Sequence, residues 1–259
     1  MTPVLVARGL AKAYGTRQVL VDGTLSLAPG ELVAVLGASG SGKTTLFRCL
    51  TRLTEPDAGS IEIDGRQLIG LRGGELARTR RKIGVVFQQF NLVRRLSALD
   101  NVLAGRLADA PVWRVMTRQF GAEDVQRAID ALVAVGLGDQ IHQRADTLSG
   151  GQQQRVAIAR AIAQQSAVVL ADEPVASLDP ETAVAILELL RRLALSSRLA
   201  VLCTLHQPDL AARFADRIFV MDQGSLRLAT PTHDQLQVSK NAPSRLLSHG
   251  ELTRAPLSS

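Results

Sequence analysis

Residues 37 to 45 read GASGSGKTT, between the apolar run ELVAVL and the helix-forming run LFRCL. A glycine-rich loop between a strand and a helix turns successive backbone amides inward, and the helix start adds its dipole, so the pattern holds phosphate groups. Gly37, Ala38, Ser39, Gly40, Ser41, Gly42 and Thr45 form that cradle, Lys43 reaches the terminal phosphates, and Thr44 offers a hydroxyl to magnesium. The chemistry expected is nucleotide binding.

Three other apolar runs end in polar groups of matching type. AVVLADEP stops at Asp172 and Glu173 before Pro174. Adjacent carboxylates at a strand end are usually a solvated turn. Beside a phosphate loop, however, Asp172 can bind magnesium through water and Glu173 can polarise an attacking water. Gln88 follows KIGVVF and His206 follows LAVLCTL, and either alone reads as structural. In open parallel sheets ligands bind beyond the carboxyl ends of the strands, so four strands that each deliver a phosphate, metal or water ligand to one edge point to a single site.

The stretch LSGGQQQRVAIARA at 148 to 161 is a second phosphate device. Ser149 is a natural helix cap, and Gly150, Gly151 and Gln152 bring orphan amides beside it. In isolation this is an ordinary capped helix. It starts in a helical stretch away from the sheet edge, out of reach of the chain's own γ-phosphate. Two copies paired head to tail about a two-fold axis would carry each second device to the other copy's nucleotide, sandwiching two ATP molecules.

In this order, GASGSGKTT at 37 to 45, Gln88, LSGGQ at 148 to 152, LADEP at 170 to 174, SLD at 177 to 179 and His206 resemble the motif set of the ATP-binding cassette ATPases, over roughly residues 3 to 236. The resemblance implies an α/β fold: a P-loop NTPase core, RecA-like, with an antiparallel β subdomain and an inserted helical subdomain. It implies ATP and Mg2+ as ligands, catalytic roles for Lys43, Gln88, Glu173 and His206, and magnesium contacts from Thr44, Gln88 and Asp172. Ser149, Gly150, Gly151, Gln152 and Asp179 would then meet the partner copy's nucleotide. Tyr14 matches the family's adenine-stacking aromatic, the alternative being that it fills a gap under the first strands.

The elements that must position these residues are legible as short β-branched runs alternating with helical patterns, which predicts a largely parallel sheet. Strands are expected at PVLVARGL, TLSLA, ELVAVL, SIEID, KIGVVF, AVVLA, RLAVLCTL, DRIFVMD and GSLRLA, with turns at Ala28-Pro29-Gly30 and Asp64-Gly65. Between Gln89 and about Ala163 the pattern turns helical, and in AEDVQRAIDALVAVGL the residues Val125, Ile129, Leu132, Val133 and Leu137 fall at helical spacing. The expected division is a RecA-like core at 1–88 and 164–236, a helical subdomain at 89–163 and a tail at 237–259. Trp113 and Phe120 are expected in the core of the insertion.

Composition narrows the partners. Hydrophobic residues make up 46% and charged residues 21% of the 259, ordinary for a globular protein, and the net charge is +6. Cys49 and Cys203 are far apart in apolar surroundings without metal-ligand spacing, so both are expected as buried thiols. No apolar run approaches the roughly 20 residues of a membrane span. The resemblance therefore implies separate integral membrane permease subunits, a second copy of the chain, indirectly a periplasmic solute-binding protein, and no nucleic acid. It implies a peripheral position on the cytoplasmic face of the inner membrane. The run ARTRRK at 77 to 82, with Arg94 and Arg95, reads as a solvated charged face, or as one meeting acidic lipid or the membrane subunit.

For cargo only resemblance is informative. QQFNLVRRLSALDNVLAGRL at 88 to 107, ADEPVASLDP at 171 to 180 and TLHQPDLA at 204 to 211 look like the ATP-binding subunit of phosphonate importers. Phosphite, hypophosphite and, more distantly, polar amino acids are the alternative cargoes, and a non-transport role is the alternative class.

Overall fold

A computed structural model describes residues 2–106 and 120–229; Trp113 and the tail at 237–259 lie outside the described residues. Ten strands form one sheet: β1 (Leu5–Tyr14), β2 (Arg17–Leu27), β3 (Leu32–Leu36), β4 (Ala58–Ile63), β5 (Arg66–Gln67), β6 (Ile83–Val86), β7 (Val168–Ala171), β8 (Ala200–Leu205), β9 (Arg217–Asp222) and β10 (Ser225–Leu228). Their order across the sheet is β5-β4-β1-β2-β10-β9-β3-β8-β7-β6. Strands β9, β3, β8, β7 and β6 run parallel, while β1, β2, β4 and β5 form an antiparallel wing. β10 joins the two, pairing antiparallel with β9 and touching β2 in parallel at Ser225 and Asp22.

The parallel strands sort their side chains by alternation. Leu32, Ala34 and Leu36 of β3 enter one core and Val33 and Val35 the other. β7 and β8 divide likewise, with Leu202 on the second face and Cys203 on the first. Because both faces are covered, β3, β7 and β8 are buried along their whole length, and each fully buried leucine or valine adds about 1.5–3 kcal/mol. The two cysteines share this burial, which pushes the Cys49 thiol up to about 11 and the Cys203 thiol up to about 12.

Seven helices are described: α1 (Lys43–Leu50), α2 (Gly73–Arg80), α3 (Ala98–Leu103), α4 (Ala122–Ala134), α5 (Gly150–Ala163), α6 (Pro180–Ser197) and α7 (Pro208–Phe214). Helices α3, α4 and α5 lie between β6 and β7 in the chain and pack on one another. Phe120 packs against the core they share with the sheet. The inward face of α4 differs from the one read off its spacing. Leu132 and Leu137 are buried as expected, but Val133 is 57% exposed, and Ala128, Ala131 and Val135 are buried instead. Small alanines let α4 lie close to its neighbours, and that close approach, rather than the widest aliphatic stripe, sets its rotation.

Candidate active site

Register brings the four expected strand ends to one edge. Leu36 of β3 pairs with Leu205 of β8, Ala171 of β7 with Cys203, and Val86 of β6 with Ala171. Gly37, His206, Asp172 and the segment entering Gln88 therefore leave the sheet side by side.

The loop from β3 to α1 is held from behind by the β9–β10 turn. Gly224 N donates to Ser41 O at 3.1 Å, and a Cβ on Gly37 or Gly42 would lie 2.6 Å from the carbonyl oxygen of Met221 or Val19. Gly42 also takes φ 113°, a conformation open to glycine. Ala38, Ser39 and Gly40 are exposed on the outer side of the loop, with Thr44 exposed and Thr45 half-buried at its end. Lys43 is buried and its ammonium donates to Gly37 O at 2.7 Å and Ala38 O at 3.0 Å. Burial lowers its pKa, against the opposing pull of Glu173 and Asp172. The Ser41 hydroxyl is buried without a hydrogen-bond partner. A curled backbone, a cation and an unsatisfied hydroxyl fit a polyphosphate.

At the end of β7, Thr204 ties the Asp172 carboxylate to the Glu173 backbone, a role the sequence reading did not assign. Its Oγ1 donates to Asp172 Oδ1 at 2.9 Å and accepts from Glu173 N at 2.7 Å. Burial is the largest influence on Asp172 and raises its pKa, while the Thr204 bond opposes it. Glu173 sits at φ 49°, the left-handed region, at a cost of about 1–3 kcal/mol for a residue with a side chain. This conformation aims its carboxylate at His206, whose Nε2 lies 2.6 Å from Glu173 Oε1. Among the described residues no cluster of three or more His, Cys, Asp or Glu could hold a metal alone. Thr44 and Asp172 carry oxygen donors of the kind that magnesium takes where substrate phosphates complete its shell.

Gln88 is exposed at the start of the turn after β6, followed by the left-handed residues Phe90 and Asn91. Tyr14 ends β1 and is 47% exposed, with the Lys12 ammonium 5.8 Å from its ring centroid, so it does not fill a gap beneath the strands.

The glycine pair after Ser149 opens α5, in the helical segment between β6 and β7. Ser149 Oγ accepts from Gln152 N at 3.3 Å and Gln152 Oε1 accepts from Ser149 N at 2.9 Å, a reciprocal capping box on α5. A Cβ on Gly151 would lie 2.5 Å from Thr182 Cγ2, so the glycine seats the start of α5 on α6. Asp179 caps α6, accepting from Thr182 N at 2.9 Å. Both side-chain caps are thus internal, while Ser149 and Gly150 are exposed at the helix start.

Comparison with known proteins agrees with this geometry. The family described as "ABC transporter" matches residues 20–176. The phosphonates import ATP-binding protein PhnC 2 of Cupriavidus necator is 50% identical over 233 residues, covering 87% of this chain and 81% of its own. The hypophosphite import ATP-binding protein HtxD of Stutzerimonas stutzeri is 48% identical over 220 residues, covering 85% and 64% respectively. Among solved structures, the ATP-binding cassette MJ0796, a dimer in a post-hydrolysis state with ADP and Pi, superposes with TM-score 0.73 at 34% identity over 87% of this chain and 98% of that one. A cassette edge of this construction, matched in family, relatives and fold alike, places the chain in the ABC transporter family as one of its ATP-binding cassettes.

Proposed function

We propose that the chain is the ATP-hydrolysing subunit of a bacterial importer that takes up phosphonates. The observation that carries the hydrolytic half is the linked set at the sheet edge, in which Thr204 bridges Asp172 and Glu173, His206 holds Glu173, and Lys43 lies within the field of both carboxylates. Lys43 exchanges its bonds to the loop carbonyls for the terminal phosphates of ATP. Magnesium, when bound, neutralises phosphate charge, and Thr44, Asp172 and Gln88 are the residues that hold it. Glu173 polarises the attacking water, and His206 orients that carboxylate and reaches the γ-phosphate. Tyr14, exposed on the rim, stacks on the adenine.

Ser149, Gly150, Gly151, Gln152 and Asp179 act on the nucleotide of a second copy, an assignment supported by the dimeric cassette this chain resembles. ATP binding closes the pair and hydrolysis reopens it, driving permease subunits that the cassette meets at the cytoplasmic face of the inner membrane. No helix among the described residues is long and apolar enough to cross a membrane. The cargo reading is supported by the relatives: phosphonates for the Cupriavidus protein, with hypophosphite as the second reading because the Stutzerimonas protein is nearly as similar.

The test is genetic. Deletion of the gene should abolish growth on 2-aminoethylphosphonate or methylphosphonate as sole phosphorus source and spare growth on phosphate. Loss confined to hypophosphite or phosphite would favour the second reading. Unchanged uptake of every reduced-phosphorus compound, with no second transporter present, would overturn the cargo assignment and leave the ATPase assignment standing.

A further inference from the structure

Between Gln88 and α3 the chain makes a turn that its own residues do not favour. Phe90 and Asn91 take φ 59° and 48°, both left-handed and both carrying side chains. Such residues persist only where the surroundings over-determine them. The rear of the turn is fixed by buried Asn101 of α3, which accepts from Val93 N at 2.7 Å and donates to Val93 O at 3.1 Å and Ser97 O at 2.9 Å. The front is fixed from a different helix. Arg160, near the end of α5, donates through Nη1 to Asn91 O at 2.6 Å and through Nη2 to Phe90 O at 3.0 Å.

We infer that Arg160 is a positioning residue for Gln88, tying the loop that carries it to the helix that begins at Ser149. Two parallel donors from a planar guanidinium fix the orientation of two consecutive peptide units, which a flexible ammonium cannot do alone. The anchor itself is clamped. Gly105, just after α3, lies so close that a Cβ there would stand 2.6 Å from Arg160 O and 3.1 Å from Arg160 Cγ. Burial pulls the guanidinium's pKa below its ordinary value, as befits a cation solvated by carbonyls rather than by water. Its outer side lines a groove of about 450 Å³ together with Arg80, Val85 and Ala104. A shift of α5 relative to the sheet, or a change in that groove, is therefore felt two residues from Gln88. This inference rests on Gln88 acting at magnesium in the proposed function, and the experiment separates the two.

Arg160→Met keeps most of the stem against Gly105 and removes both donors; Arg160→Lys restores one. In nucleotide-free protein, hydrogen exchange across residues 87–93 should quicken in Arg160→Met and recover in part in Arg160→Lys, with exchange in α1 unchanged. ATP binding without magnesium should stay within about twofold of the parent, since the phosphate loop is untouched. The magnesium concentration for half-maximal hydrolysis should rise at least about tenfold, since two charge-assisted hydrogen bonds to the loop are lost. Gln88→Ala should raise it similarly, and the double variant should be no worse than either alone. A raised requirement in Gln88→Ala with a normal one in both Arg160 variants, or additive effects, overturns the inference alone. A normal requirement in Gln88→Ala overturns it together with the Gln88 assignment.

Discussion

The Thr204 hydroxyl has two partners that cannot be satisfied separately at that depth: the Asp172 carboxylate and the Glu173 amide. Thr204→Val keeps the shape and removes both bonds, leaving a part-buried carboxylate and an amide unpaired. The expected cost is about 1–3 kcal/mol of stability. It should come with a fall in kcat of at least about tenfold and an ATP affinity within a few-fold of the parent, because the bond orients the hydrolytic residues rather than the phosphate loop. Steady-state ATPase rates alongside nucleotide binding check this, and a raised KM with unchanged kcat would contradict it. Thr204 was invisible in the sequence because threonine is also a good strand former and LAVLCTL reads as an unbroken buried strand. Asp172, Glu173 and His206 each have a structural reading when taken singly, and what made them candidates together with Lys43 was that their strands end beside the phosphate loop. The side chains of Ser149 and Gln152 turned out to cap their own helix, the ordinary reading of that stretch, which leaves exposed Ser149 and Gly150 as what a partner can meet.

Strands were the readily legible elements, since nine of the ten overlap an expected apolar run, although β1 runs on to Tyr14 and β2 begins at Arg17, well before TLSLA. The tenth, β5, is two exposed residues paired to the end of β4 and carries no pattern to read. On α4 the spacing misplaced Val133, while Val125, Leu132 and Leu137 do pack inward, because alanine contributes little to an apolar count yet permits the closest helix approach. The same logic of small residues governs the contact of α5 with α6. Gly151→Ala places a methyl 2.5 Å from Thr182 Cγ2. Thr182 is β-branched and cannot move aside freely. The substitution should lower the thermal midpoint by several degrees, equivalent to about 1–3 kcal/mol of overpacking. Adding Thr182→Ser, which deletes the opposing methyl, should restore most of that loss. If the second substitution adds to the damage, the two helices are not held apart by this contact.

At the scale of the whole molecule, one sheet edge gathers Lys43, Asp172, Glu173 and His206, and the proposed function makes the chain half of a pair, as the MJ0796 cassette is. The change of period near Gln89 announces helices α3, α4 and α5 between β6 and β7, whereas the link back through Arg160 could not be read, since it joins residues 69 and 70 positions apart. The most direct test of the composite site is the mass of the Glu173→Gln protein at saturating ATP and magnesium. Only the carboxylate proposed to polarise water is lost, so the account predicts a stable dimer retaining two unhydrolysed ATP molecules. Adding Ser149→Arg should return it to a monomer that binds ATP as tightly as the parent chain. A Glu173→Gln protein that stays monomeric with ATP bound, or a Ser149→Arg chain whose monomer has lost ATP affinity, would contradict the account.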